Sequence, residues 1–157
     1  MIRQDYLLRL IEELAQRLGR IRRKMDAEEF PEADDELDEA FQKMIGTGAE
    51  AVSRLSETEL LAKLTLDGPT QMVKEKTLIL IALLQQAGEL HTAAGRDAEG
   101  LSCWLKALNL LLAVERQDFD FKMPEFVPKI DLLRDELPET ALPLQTLAEI
   151  RRRGQMR

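Results

Sequence analysis

The sequence predicts an all-α protein built from antiparallel helical hairpins. Three observations carry that expectation. Apolar residues recur at spacings of three and four along nearly the whole chain. No stretch alternates apolar and polar residues with β-branched side chains between turn pairs, so strand signals are missing. Aromatics are only 4% and glycine only 8 of 157 residues, while Leu, Ala, Glu and Arg dominate. With 157 residues, 45% of them apolar, the chain suits one domain over 1–157 with a single core.

The elements follow in order. From Tyr6, the residues Leu7, Leu10, Ile11, Leu14, Leu18, Ile21 and Met25 trace one stripe of a long first helix whose end is loosely marked between Asp26 and Phe30. Pro31 suits the first turn of a second helix, where its missing N–H is harmless. That helix carries Ala33, Leu37, Ala40, Phe41, Met44 and Ile45 on one face and stops at Gly46 and Gly48. These two helices make a hairpin over 1–48. Over 49–68, a short helix through Val52 and Leu55 precedes a second, opened by a Ser56–Glu59 capping box and closed at Asp67–Gly68.

The segment 69–117 reads as a second hairpin. Pro69 opens a helix whose run from Leu78 to Leu84 is apolar all round, the mark of a central, buried helix. Gly95 breaks it, and Asp97 is expected to cap the next helix, with Leu101, Trp104, Leu105, Leu108, Leu111 and Leu112 as its stripe. Residues 118–128 lack helical spacing and form a connector. Helices over 129–154 follow, one through Ile130, Leu133 and Leu137, the last running through Arg151, Arg152 and Arg153 after Pro143.

An internal repeat is visible. Ala33, Leu37 and Ala40 return as Gly100, Trp104 and Ala107, each at the same 67-residue step (33 to 100, 37 to 104, 40 to 107). In the second copy Gly88 and Gly100 leave room for two helices to approach, Trp104 fills the space beside them, and Ala107 admits a further helix. The string Leu84, Ala87, Gly88, His91, Gly95, Gly100, Trp104, Ala107 resembles one tetratricopeptide repeat. It departs from the pattern at Leu84, His91 and Leu112, where Trp, Tyr and Pro are usual. The resemblance implies a right-handed superhelical array of hairpins and a role in protein–protein contact. The N-terminus, with Met1, Ile2, Asp5, Tyr6, Leu7, Leu8, Arg9, Ile11 and Glu12, resembles a family of small bacterial helical proteins with repeat-like hairpins and no assigned reaction.

Charge and composition exclude several function classes. There are 29 acids against 22 bases, a formal charge of −7, which is unlike the basic balance of nucleic-acid binders. One cysteine excludes an intrachain disulfide, and one histidine excludes sites needing several imidazoles. No apolar run approaches the ~20 residues a bilayer requires, and no signal-peptide pattern opens the chain. The expectation is a cytoplasmic protein without nucleic-acid or membrane partners.

Chemistry-bearing residues are few. Nine acids and no base lie between Asp26 and Glu39, without the glycine-bearing spacing of a calcium loop. The first helix ends in Arg17, Arg20, Arg22, Arg23 and Lys24, so a tight hairpin is expected to set the two clusters against each other. Cys103 and His91 are the one available thiol–imidazole pair, but no orienting third group or oxyanion loop accompanies them. Gly88 to Gly95 lacks the Lys-Ser/Thr ending of a phosphate loop. Glu12 and Glu13 point to different faces. The arginines near the C-terminus suit the negative end of a helix.

First helices line the inner surface of a helical-repeat array, where partners usually bind. On that logic Arg22, Gln85 and Glu89 are the candidate partner-binding residues. Gln85 and Glu89 argue against a clamp for a terminal carboxylate, which needs basic side chains. The expected function is a non-enzymatic interaction module that buries a protein or peptide segment, or a second copy of itself. No catalytic residue, metal or cofactor is assigned. The alternatives are a thiol-dependent enzyme using Cys103 and His91, and a bundle holding a small ligand between helices. The first helix's flank, or the connector bearing Phe119 and Phe121, is a further surface for a second subunit.

Overall fold

A computed structural model describes residues 2–67, 72–117, 125–138 and 142–156. Among them the chain forms eight helices and no strand: α1 (Ile2–Asp26), α2 (Phe30–Ile45), α3 (Ala49–Arg54), α4 (Glu57–Asp67), α5 (Val73–Ala93), α6 (Asp97–Gln117), α7 (Ile130–Asp135) and α8 (Leu144–Met156). The expected openings at Pro69 and stop at Gly68, and most of the connector with Phe119 and Phe121, lie outside the described residues.

Local chemistry sets the boundaries. Pro31 sits in the first turn of α2, and Gly46 ends it in the left-handed conformation at φ 87°, its N–H donating to the carbonyls of Phe41 and Gln42. At α4 the capping box closes in both directions: the Glu59 N–H donates to Ser56 Oγ at 3.1 Å, and the Ser56 N–H to Glu59 Oε1 at 3.3 Å. The α1–α2 turn contains no glycine, and Glu28 takes the left-handed role at φ 57°. There the Glu29 N–H reaches back to the Lys24 carbonyl at 2.8 Å.

One expected cap is corrected. Asp97 is the first residue of α6, and the Gly100 N–H donates to the Arg96 carbonyl at 3.0 Å, which places Arg96 at the cap position. Gly95, at φ 80°, turns the chain where the sequence places the break, and α6 begins one residue earlier than a cap at Asp97 would give. Asp97 serves instead as a charge in the positive first turn.

The packing is antiparallel, α1 against α2 and α5 against α6, with α2 also packed on α5 and α1 touching α5. Helix α5 is the centre of the core. Every residue from Leu78 to Leu84 is buried, as its all-round apolarity requires. The second hairpin closes tightly: a Cβ on Gly88 would lie 2.8 Å from Trp104 Cε2, and one on Gly100 2.6 Å from Thr92 Oγ1 and 3.3 Å from the Gly88 carbonyl oxygen. The indole of Trp104 is buried on the bare backbone of Gly88. One 67-residue step earlier, Ile21 and Leu37 occupy the corresponding places, both buried.

The charge clusters of the first hairpin meet as expected. Arg17 reaches Glu39 at 3.9 Å, Arg20 reaches Glu36 at 3.7 Å, and Lys24 reaches Glu29 at 3.3 Å.

Candidate functional site

A central helix buried on all sides offers partners little, so where α5 meets solvent is informative. Between Thr77 and Leu90 only two residues are not fully buried, Gln85 and Glu89. They are four apart and therefore on one stripe of the helix. Both are inner-surface candidates on the sequence pattern alone.

Arg22, the third candidate partner-binding residue, lies on α1 beside Glu89. Its guanidinium comes within 3.9 Å of Glu89 Oε2, joining the C-terminal ends of the two helices. Gln86, buried next to the pair, donates to Glu89 Oε2 at 3.3 Å and to Met25 Sδ at 3.2 Å. Burial raises the Glu89 carboxyl pKa above its ordinary value; Arg22 opposes the shift, and the nearby carboxylate of Glu136 adds to it. Glu136 follows α7, so that helix end also borders this surface. The window is a polar strip, Gln85 and Glu89 flanked by Arg22 and Glu136, set in an apolar core.

The thiol and imidazole are held for other purposes. His91 Nδ1 accepts a hydrogen bond from Arg96 Nε at 2.9 Å. Desolvation, and then the adjacent Arg96 charge, lower its pKa. Cys103 is buried, and burial pushes its thiol up to about 11, against the weaker pull of Lys106. No hydrogen bond joins Cys103 to His91 among the described residues.

Several polar contacts carried no local sequence signal. Arg96 also forks onto Asp34 of α2 at 2.7 and 3.2 Å. Asp38, another member of the acidic run, accepts from the Ala49 N–H at 2.9 Å and so holds the start of α3. Lys106 donates to the carbonyls of Val52 and Ser53 at 3.3 and 2.6 Å, satisfying the end of that helix. Asn109 accepts from Thr146 Oγ1 at 3.0 Å and donates to Glu57 at 3.2 Å, tying α8 and α4 to α6. Above this chain an open cleft of about 730 Å³ runs between α4, α6 and α8, lined among others by Leu61, Ala113, Arg116 and Glu149.

Among the described residues no three His, Cys, Asp or Glu side chains converge on a point that would hold a metal ion. None of the helices among them is long and apolar enough to cross a membrane. Comparison with protein-family models, curated proteins and solved structures finds no match. What the fold and these contacts define is an all-helical protein of antiparallel hairpins.

Proposed function

We propose that this protein is a non-enzymatic, tetratricopeptide-like interaction module whose partner segment lies along the face shared by α1 and α5. The observation that carries the reading is the polar window of α5: Gln85 and Glu89 are the only incompletely buried residues between Thr77 and Leu90, and Arg22 flanks them at 3.9 Å from Glu89. Two antiparallel pairs related by the 67-residue step, with α2 packed on α5, support a repeat-like stacking of hairpins. A right-handed superhelical course would place α1 and α5 on its inner side. The high thiol pKa of Cys103 weighs against a thiol-dependent enzyme.

A photo-crosslinking side chain placed at Gln85 tests this in the native host. Protein or peptide adducts are expected there and not from the same group at exposed Lys43 on α2. Equal labelling at both positions, or none at Gln85, overturns the reading. A second reading, a bundle that holds a small ligand, is favoured by the cleft between α4, α6 and α8. Chemical-shift changes confined to Leu61, Asn109 and Ala113 on adding a small-molecule library would select it.

A further inference from the structure

Helix α1 carries more apolar residues than its own core uses. Leu14 and Ile21 are fully buried, and Leu10, Leu18 and Met25 pack against the same core. A second stripe runs beside it and shares Leu18 with the core. Leu8, 57% exposed, is followed at three, seven and ten positions by half-buried Ile11, exposed Ala15 and half-buried Leu18. That spacing is a heptad seam, the pattern by which one helix lies against another. Its first residue, Leu8, is left uncovered by the rest of the fold.

The charges beside this seam are ordered. Asp5 and Glu12 flank its N-terminal half, and Arg23 flanks its C-terminal half on the same side of the helix. All three are exposed, and none has an ion-pair partner among the described residues. In a two-fold antiparallel pairing, each flank meets the same flank of the other helix with its ends reversed. Leu8 would then meet Leu18 of the second copy, Ile11 would meet Ala15, and Asp5 would stand beside Arg23. The face is complementary to itself in this orientation, acid against base and apolar against apolar. A parallel pairing would set this flank against the opposite flank of the other helix, and Asp5 would not reach Arg23.

We propose that two copies of this chain associate through antiparallel α1 helices, with Leu8, Ile11, Ala15 and Leu18 as the seam and Asp5–Arg23 pairs at its ends. The net charge of −7 opposes association at long range, but it is screened beyond about 8 Å at physiological salt, whereas seam contacts are not. Four side chains per copy make a small interface, so the dimer is reversible and concentration-dependent. Arg22, four residues past Leu18 on the same stripe, links the end of the seam to the α5 window.

Sedimentation of the full chain over a concentration series tests the pairing. The wild type shifts from monomer to dimer as concentration rises. Leu8→Glu stays monomeric with unchanged helical circular dichroism and melting, because Leu8 lies outside the core. Asp5→Arg weakens the dimer several-fold, Arg23→Asp does the same, and the two together restore it. A wild type that stays monomeric throughout overturns the proposal, as does a dimer indifferent to Leu8→Glu or a charge exchange that fails to restore association. Crosslinking at Gln85 is read separately, so the partner window and the dimer can fail independently.

Discussion

Arg96 and Asp34, 62 positions apart, form a two-pronged ion pair at 2.7 and 3.2 Å that fastens the α5–α6 turn to the start of α2. The third prong of the guanidinium, Nε, donates to His91, so one side chain joins both hairpins. Lysine in its place keeps the charge but loses the planar fork. Each side chain is about a third exposed, so solvent discounts the pair to about 1 kcal/mol. Arg96→Lys is expected to lose most of the stabilisation that Arg96→Ala loses. A double-mutant cycle with Asp34→Asn in urea denaturation measures the coupling, and additivity would show that the fork contributes nothing.

The same contact makes stability depend on pH with a definite sign. In the folded chain the imidazole of His91 resists protonation, because it is desolvated and faces Arg96, although Asp34 and Glu99 partly offset this. A folded pKa below the unfolded value gives a stability contribution that is complete above the ordinary value of 6.5. It is lost as pH falls through that value toward the lowered one, because the unfolded chain takes up the proton first. His91→Gln keeps an acceptor for Arg96 without titrating. Melting temperatures of the two proteins are expected to run parallel above neutrality and to separate on acidification, with the wild type falling faster.

Much of this was legible in residues whose chemistry is local. Ser56 with Glu59, Pro31 and Gly46 act within one turn of where they stand, and their roles follow from short-range hydrogen bonding. Gly88 and Trp104 were legible for another reason: helical spacing fixes which residues share a face, and a missing side chain beside a large one marks close packing. Glu28 was not legible, because a non-glycine residue in the left-handed region is held by its surroundings rather than by its own preference. Asp34 and Asp38 belong to the acidic run that the sequence assigns to the first hairpin, and both hold other parts of the fold. Contacts across tens of residues leave no periodic trace. Likewise, helical position singled out Arg22 and Glu89 one by one, but nothing in the sequence paired them with each other.

Cys103 is expected to be a slow thiol. Burial raises its pKa to about 11, so near neutral pH almost none is present as the reactive thiolate. Iodoacetamide should modify the folded chain far more slowly than the urea-unfolded one, and Cys103→Ala should leave partner capture intact. A folded thiol that reacts as fast as an unfolded one would restore the enzymatic alternative.

Gly88 and Trp104 should behave as one unit. Truncating the buried indole, Trp104→Ala, should cost about 3–5 kcal/mol, because the site cannot collapse around so large a loss. Adding a methyl at Gly88 drives it to 2.8 Å from the ring, an overpacking that should cost about 1–3 kcal/mol. The first hairpin solves the same problem with medium-sized residues at both places, Ile21 and Leu37. It follows that Trp104→Leu, destabilising by itself, should relieve the clash of Gly88→Ala, so that the double variant loses less than the two single losses combined. Strict additivity in urea denaturation would show that the two helices are spaced by something other than the contact between this glycine and this indole.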